Sequence, residues 1–204
     1  MTDTIDVVLP ARHCSLTLED IVSVFSAHPA IGRIIVVSNP PDLMHEAILR
    51  AYPNVVHIQC MADGKGQAVM RGLERVITQY VILCDADIIN LTTEHIDTMI
   101  CDAVLEEDSM LVGVCDPPDN LSERRLWSWP WVSGQRCVPT RLLKPLRLHG
   151  YLMETQINCA ATHANLPLRF EWLRGCISPY RMSEERIAAM VSDAEWGKQH
   201  GILP

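Results

Sequence analysis

Three observations make this chain an α/β protein with a mostly parallel central sheet. Short β-branched strand patterns alternate with amphipathic helical stretches through its first third. A buried-type strand, Tyr80 to Cys84, ends in Asp85-Ala86-Asp87. Immediately before it stand a Gly64-Lys65-Gly66 turn and a helical run, so turn, helix, strand and paired carboxylates follow one another without interruption.

Residues 5–10, Ile-Asp-Val-Val-Leu-Pro, form the first strand, and Pro10 to Cys14 is the loop at its end. Thr17 is placed to cap a helix over 18–28 whose inner face carries Leu18, Ile21, Val22 and Phe25. A second strand over 33–37 stops at Ser38-Asn39-Pro40-Pro41, because proline has no ladder donor. A helix over 42–51 and a strand over 55–59 follow, and this alternation implies parallel order with right-handed crossovers. After the Gly-Lys-Gly turn, Ala68, Val69, Gly72, Leu73 and Val76 recur at helical spacing. Beyond the acidic pair come a helix over 93–106 and a strand over 110–115. The loop over 116–131 is long enough to be functional or mobile. An extended stretch over 132–137, helices over 140–147 and 151–164, a strand over 168–173 and an amphipathic helix over 183–199 complete the pattern.

A chain of 204 residues suits one sizeable core, so a single domain over 1–204 is expected. Hydrophobic content of 48% with 21% charge is globular, and no apolar run approaches the roughly 18 residues of a membrane span. The start, MTDTIDVVLPAR, lacks the basic opening and long apolar centre of a signal peptide, so a soluble, cytoplasmic protein is expected. Eight scattered cysteines without a C-x-x-C pair point to reduced thiols. A net charge of -8 argues against a broad electrostatic grip on nucleic acid.

Strand alternation puts Asp85 and Asp87 on one side of the departing backbone, where both can meet one cation. Hard oxygen ligands suit magnesium or manganese carrying a substrate's phosphates, and open α/β sheets bind ligands beyond their strands' carboxyl ends. A solvated acidic turn is the alternative; the position behind a buried run and a helix start favours the cation. Gly64-Lys65-Gly66 is not a P-loop, since Gln59 stands where glycine is needed, nor a dinucleotide fingerprint, since Val69 replaces the third glycine. It is either an anion site at a helix N-terminus or a surface turn with a solvated lysine. Trp127, Trp129 and Trp131 alternate beside Arg124 and Arg125, either as a stacking face with a cationic pair for an anionic acceptor or as a loop tucked into the core.

The ordered set VVLPAR, GKGQAVMRGLE, YVILCDADI, SGQRCVPTRLLKPL and HGYLMETQINCAATHANLPL resembles the family-two glycosyltransferases of GT-A fold, across about residues 5–170. Within that family the similarity is greatest to the branch of dolichol-phosphate-mannose and glucosyl-3-phosphoglycerate synthases. The resemblance implies a three-layer GT-A fold with a nucleotide-sugar half over 1–115 and an acceptor half over 116–204. It implies metal-dependent transfer of a sugar, a hexose by preference, from a nucleoside diphosphate sugar to an acceptor hydroxyl. Pro10, Ala11 and Arg12 would lie against the base, with Ser38 on the same nucleotide side. Lys65 would lie near the sugar nucleotide, and Asp85 with Asp87 would hold Mn2+ or Mg2+ against its diphosphate. Ser133 and Gly134 would flank the donor sugar, with Arg136 following. Glu154 would be the general base or a sugar-hydroxyl ligand.

The sequence also departs from the family. Ser38-Asn39 replaces the Asp-Asp or Asp-Gly that reads the base, His13-Cys14 replaces Asn-Glu, and Gln156 stands where a second acid is common. Residues 168–180 offer no histidine as third metal ligand, and His163 and His200 are candidates by residue type alone. Nucleobase, sugar, acceptor, oligomeric state and stereochemistry stay open. So do three rivals: a nucleotidyltransferase, although PARHC lacks its Gly-rich, Arg-containing loop; a non-catalytic sugar-nucleotide-binding module; and a glycosyltransferase acting on a nucleic-acid base.

Overall fold

Strand β1 (Ile5–Ala11) is buried almost throughout, and its side chains alternate between two apolar layers. Val7 and Leu9 pack with Leu18, Ile21, Val22 and Phe25 of α1 (Ser15–Ala27), while Val8 joins Val69 and Leu73 of α3 (Gly64–Leu73) on the other side. Between these helices in the chain come β2 (Ile31–Ser38), α2 (Leu43–Leu49) and β3 (Val55–Gln59). After α3 follow β4 (Tyr80–Leu83), α4 (Thr93–Met99), β5 (Met110–Asp116) and β6 (Gln135–Pro139). A short α5 (Thr140–Leu143), a 3-10 turn at Gly150–Leu152, α6 (Met153–His163) and β7 (Leu168–Ile177) complete the elements. The computed structural model describes residues 4–12, 15–62, 64–101, 108–116, 133–148 and 150–178, with helical positions 188, 191, 192, 195 and 199 beyond them.

The seven strands form one sheet in the order β3-β2-β1-β4-β6-β5-β7. All neighbouring pairs are parallel except those of β6, which runs antiparallel to both β4 and β5. The carboxyl ends of β1, β2 and β4 therefore share one rim with the start of β6. Helices cover both faces, so the expected layered α/β architecture with a mostly parallel sheet is the one observed.

Several boundaries differ from the sequence pattern for identifiable reasons. Thr17 is no cap: α1 begins two residues earlier, and the Thr17 hydroxyl donates to the Ala86 carbonyl at 2.7 Å. The cap that does form is Asp42, whose carboxylate accepts from Met44 N at 2.8 Å and opens α2. Gly64-Lys65-Gly66 is the first turn of α3 itself rather than a turn preceding it. β4 ends at Leu83, so Asp85 lies past the strand and Asp87 in a turn, and strand alternation is not what relates the two carboxylates. The helix expected over 140–147 closes at Leu143 with Lys144 as its C-cap, because Pro145 has no N–H to extend the ladder. β7 runs on to Ile177 through an irregularity in its pairing with β5. α4 ends at Met99, and 102–107 lie outside the described residues, as do the expected loop over 117–131 and most of the expected terminal helix.

Away from the carboxyl rim, the Tyr80 phenol donates to Asp108 Oδ1 at 3.1 Å. Arg141 grips the same carboxylate, with Nη1 2.7 Å from Oδ1 and Nη2 against Oδ2. Burial first, then the hydrogen bond and charge of Asp108, push the phenol up from 10.0 to about 12. A pKa raised in the fold favours the protonated form, so this stabilisation is intact below pH 10 and is lost as pH rises from there towards about 12. Tyr80→Phe is expected to abolish that alkaline loss and to cost about 1 kcal/mol at neutral pH. Urea melts across pH 8 to 12 check both, and a slope unchanged by the substitution would show that another group is responsible.

Candidate active site

Parallel pairing of β1 with β4 brings Ala11 and Arg12 to the same rim as Asp85. Cys84 N donates to Val8 O at 3.2 Å, which carries the sheet ladder to the residue before Asp85. The turn holding Asp87 is fixed on both sides. Thr17 bonds Ala86 before it, and Ile89 pairs with Ile177 of β7 after it, with N–O distances of 2.8 and 2.9 Å.

Lys65 enters from α3. Gly64 has φ +81°, and a Cβ there would stand 3.4 Å from Gly150 Cα. Glycine lets the helix start lie against the 3-10 turn that leads into α6. The Lys65 ammonium consequently sits between two carboxylates, 2.6 Å from Asp85 Oδ1 and 2.9 Å from Glu154 Oε1. The three side chains are 22%, 25% and 11% exposed, so water screens this triad only in part. Burial works against the charged ammonium, but the two carboxylates outweigh it and hold Lys65 protonated well above the ordinary lysine range.

Gly134 is required by this arrangement. The β4–β6 register pairs Leu83 with Arg136, and its continuation sets Gly134 opposite Asp85. A Cβ on Gly134 would meet all three atoms of the Asp85 carboxylate at 2.8 Å or less. Next to it, Gln135 Nε2 donates to Asp85 Oδ2 at 3.3 Å. The Ser133 hydroxyl lies 2.7 Å from Gln135 Oε1 and 2.5 Å from the Gly113 carbonyl. Arg136 is wholly buried beneath: Nε donates to Ser133 O at 2.8 Å and Nη1 to Asn158 Oδ1 at 2.5 Å. Burial brings its guanidinium down to about 10, against the charges of Glu154 and Asp85. It reaches the rim through the backbone of Ser133, not by an exposed charge.

At the end of β1, Pro10 is half-buried, Ala11 buried and Arg12 exposed. Asn39 N donates to Ala11 O, and its side chain brackets Ala62 through both backbone groups, tying three rim loops together. Ser38 is fully buried, with its hydroxyl 2.8 Å from both His45 Nδ1 and His57 Nε2. Burial, followed by the neighbouring His45, lowers the His57 pKa. This hydroxyl is engaged beneath the rim. Gln135, Asn158 and the two histidines are the polar residues that sequence reading passed over. Asn158 carried a signal, since it follows Glu154 by one helical turn on a face otherwise held by Ile157 and Ala161.

Among the described residues, no three His, Cys, Asp or Glu side chains converge as a metal-ligand set. A hard divalent cation that keeps waters and phosphate oxygens needs only one or two carboxylates, the number and type of side chain that Asp85 and Asp87 supply. His163 is exposed, its Nδ1 2.9 Å from the Cys159 carbonyl of its own helix. His200, Trp127, Trp129, Trp131, Arg124 and Arg125 lie outside the described residues.

No protein-family model and no curated protein matches the sequence. Solved structures do. Mannosyl-3-phosphoglycerate synthase from Rubrobacter xylanophilus superposes with a TM-score of 0.76 at 19% identity, over 98% of this chain and 76% of that one. Glucosyl-3-phosphoglycerate synthase from Mycobacterium tuberculosis, in complex with Mn2+ and UDP-glucose, gives 0.78 at 21% identity, over 99% and 80% of the two chains. The fold is GT-A. The same mycobacterial enzyme with Mn2+, UDP-glucose and phosphoglyceric acid gives 0.74 at 21% identity, over 95% and 80%. The rim carrying Asp85 lies beyond the carboxyl ends of β1, β2 and β4, where open α/β sheets in general bind ligands.

Proposed function

We propose that this chain is a glycosyltransferase that moves a hexose from a nucleoside diphosphate sugar to an acceptor hydroxyl, with Mn2+ or Mg2+ at Asp85 and Asp87. The observation that carries the reading is the Asp85–Lys65–Glu154 triad at the sheet's carboxyl rim, beneath a glycine that leaves no room for any side chain. It stands in a fold shared with proteins solved with Mn2+ and UDP-glucose.

The bound cation supplies charge neutralisation for the departing diphosphate. Asp85 and Asp87 would hold it, and Lys65, 2.6 Å from Asp85 Oδ1, would add a second positive charge. Two of the three ammonium donors go to Asp85 and Glu154, which leaves one for an incoming oxygen. Glu154 orients a sugar or acceptor hydroxyl and takes the acceptor proton if the anomeric centre inverts. Pro10, Ala11 and Arg12 flank the base, and Ser38 supports them from below. Ser133 and Gly134 border the donor sugar, held by Arg136. The nucleotide-sugar half is assigned to 1–115 and the acceptor half, with its tryptophans, to 116–204 of one domain. No helix among the described residues is long and apolar enough to cross a membrane, and the seven described cysteines are free thiols. The cytoplasm, where thiols stay reduced, is the proposed location.

A thermal-shift and turnover screen of nucleoside diphosphate sugars, with and without Mn2+, tests this. At about 100 times Kd the correct donor adds about 2.7 kcal/mol of stability, or about 5–10 °C in Tm, and EDTA removes both shift and turnover. Failure of every sugar nucleotide to bind in the presence of Mn2+ overturns the reading. Binding without transfer or donor hydrolysis leaves the non-catalytic module instead.

A further inference from the structure

We propose that Cys115 and Cys176 are a peroxide-sensitive pair that closes a reversible disulfide and so fastens the turn carrying Asp87. The two thiols come from neighbouring strands. β5 pairs with β7 in register as far as Cys115 with Leu173, and an irregularity then brings Asp116 opposite Ile177. Arg174, Gly175 and Cys176 are the surplus residues on β7, and they bulge its end so that Cys176 lies beside Cys115. The Cys115 S–H donates to Cys176 Sγ at 3.5 Å, and both side chains are buried. A small oxidant has a way in at the bulge. Gly175 is exposed with φ +83°, and a Cβ there would meet nothing within 4 Å.

The hydrogen bond from Cys115 lowers the Cys176 pKa below the ordinary thiol range in spite of burial. The same bond, with burial, holds Cys115 protonated well above that range. Cys176 is therefore the nucleophile and Cys115 the resolving thiol. The Cys176 thiolate attacks one oxygen of hydrogen peroxide, the O–O bond breaks and hydroxide leaves, giving a sulfenic acid at Cys176. The Cys115 sulfur then attacks the Cys176 sulfur, the S–O bond breaks, and the oxygen departs as water with the Cys115 proton. The proton that Cys176 gave up neutralises the hydroxide. Two thiols and one peroxide thus become one disulfide and two waters, the thiols losing two electrons and the peroxide gaining them. Cys84, the other buried thiol next to the site, is turned instead to the Asp85 carbonyl at 3.6 Å.

The bond would act on the site through one residue. Ile177, next to Cys176, exchanges two backbone hydrogen bonds with Ile89, which follows the Asp87 turn, at 2.8 and 2.9 Å. Joining Cys176 to Cys115 prevents the end of β7 from opening away from β5, so the Ile89–Ile177 pairing opens less often. The bearing of this on sugar transfer rests on the reading of Asp87 as a cation ligand; the disulfide itself does not.

Treatment of the purified chain with millimolar hydrogen peroxide, followed by digestion without reduction and mass spectrometry, tests this. A crosslinked Cys115–Cys176 peptide lighter by two hydrogens is expected, with two fewer than the chain's eight thiols titratable after denaturation, and dithiothreitol reverses both. Hydrogen exchange in the peptide spanning Ile89 is expected to slow about tenfold in the oxidised chain. Cys115→Ala is expected to stop at oxygen adducts on Cys176, and Cys176→Ala to leave Cys115 unmodified; the wild-type crosslink and exchange decide the matter if either variant fails to fold. Absence of the crosslink, a crosslink through Cys84 in its place, adducts on Cys115 in Cys176→Ala, or unchanged exchange at Ile89 overturns the proposal. None of these readouts uses a substrate, so failure of the glycosyltransferase reading is told apart from failure of this one.

Discussion

Asp87→Ala is expected to lower sugar transfer about 1000-fold, close to 4 kcal/mol of transition-state stabilisation, while Tm moves by only a few degrees. Asp87 is half-buried in a turn whose backbone is pinned independently by the Thr17 hydroxyl and by the Ile89–Ile177 pairing. Removing the side chain leaves those bonds in place. On the proposed reading, the side chain's loss also removes an anionic oxygen for the cation, so the dependence of rate on Mn2+ should weaken or vanish along with the rate itself. Steady-state kinetics across a manganese titration, paired with thermal melts, separates this from unfolding. Activity within tenfold of wild type would remove Asp87 from the chemistry.

The second large effect is expected from the smallest substitution. Gly134→Ala places a methyl group where the Asp85 carboxylate already lies, and neither group has an easy exit. Asp85 is tied to Lys65 at 2.6 Å and to Gln135 at 3.3 Å, and Gly134 leads directly into β6, whose ladder with β4 begins at Arg136. Relief must come by breaking the Lys65 pair or by shifting the strand start. Displacements near 1 Å at a reacting centre cost on the order of 100-fold, and overpacking costs about 1–3 kcal/mol of stability. The variant is thus expected to lose about 100-fold in kcat/KM and about 3–10 °C in Tm. If it retains full activity, the position of Asp85 is immaterial to catalysis.

Much of the frame was legible in the sequence. The period of Leu18, Ile21, Val22 and Phe25 gave the inner face of α1, and β3 falls at the residues its pattern marked. Runs of β-branched residues bounded by glycine and proline have few alternatives to buried parallel strands. The site was legible as residue types but not as contacts. Lys65 and Glu154 are far apart in the chain, and their meeting depends on how close the α3 start comes to the 3-10 turn at Gly150, which no local period encodes. Thr17 shows the converse: its sequence context fits a cap, yet its hydroxyl bonds the Ala86 carbonyl of a distant turn. For Arg136 the sequence supplied the charge, whereas burial decided that it acts on the protein's own backbone. The strand-alternation argument for Asp85 and Asp87 did not survive the observed end of β4 at Leu83, since it applies only to continuing extended backbone.

The reversed direction of β6 has an evolutionary corollary. A strand running against its neighbours starts where they finish, so the chain quits β5 and enters β6 along one margin, with Ser133 2.5 Å from the Gly113 carbonyl. Sequence exchanged between those two points is attached at both ends to the rim that carries Asp85 and leaves the described strand registers intact. If this rim holds the donor as proposed, a change of acceptor preference made by such an exchange would leave the residues at Asp85 and Lys65 in place.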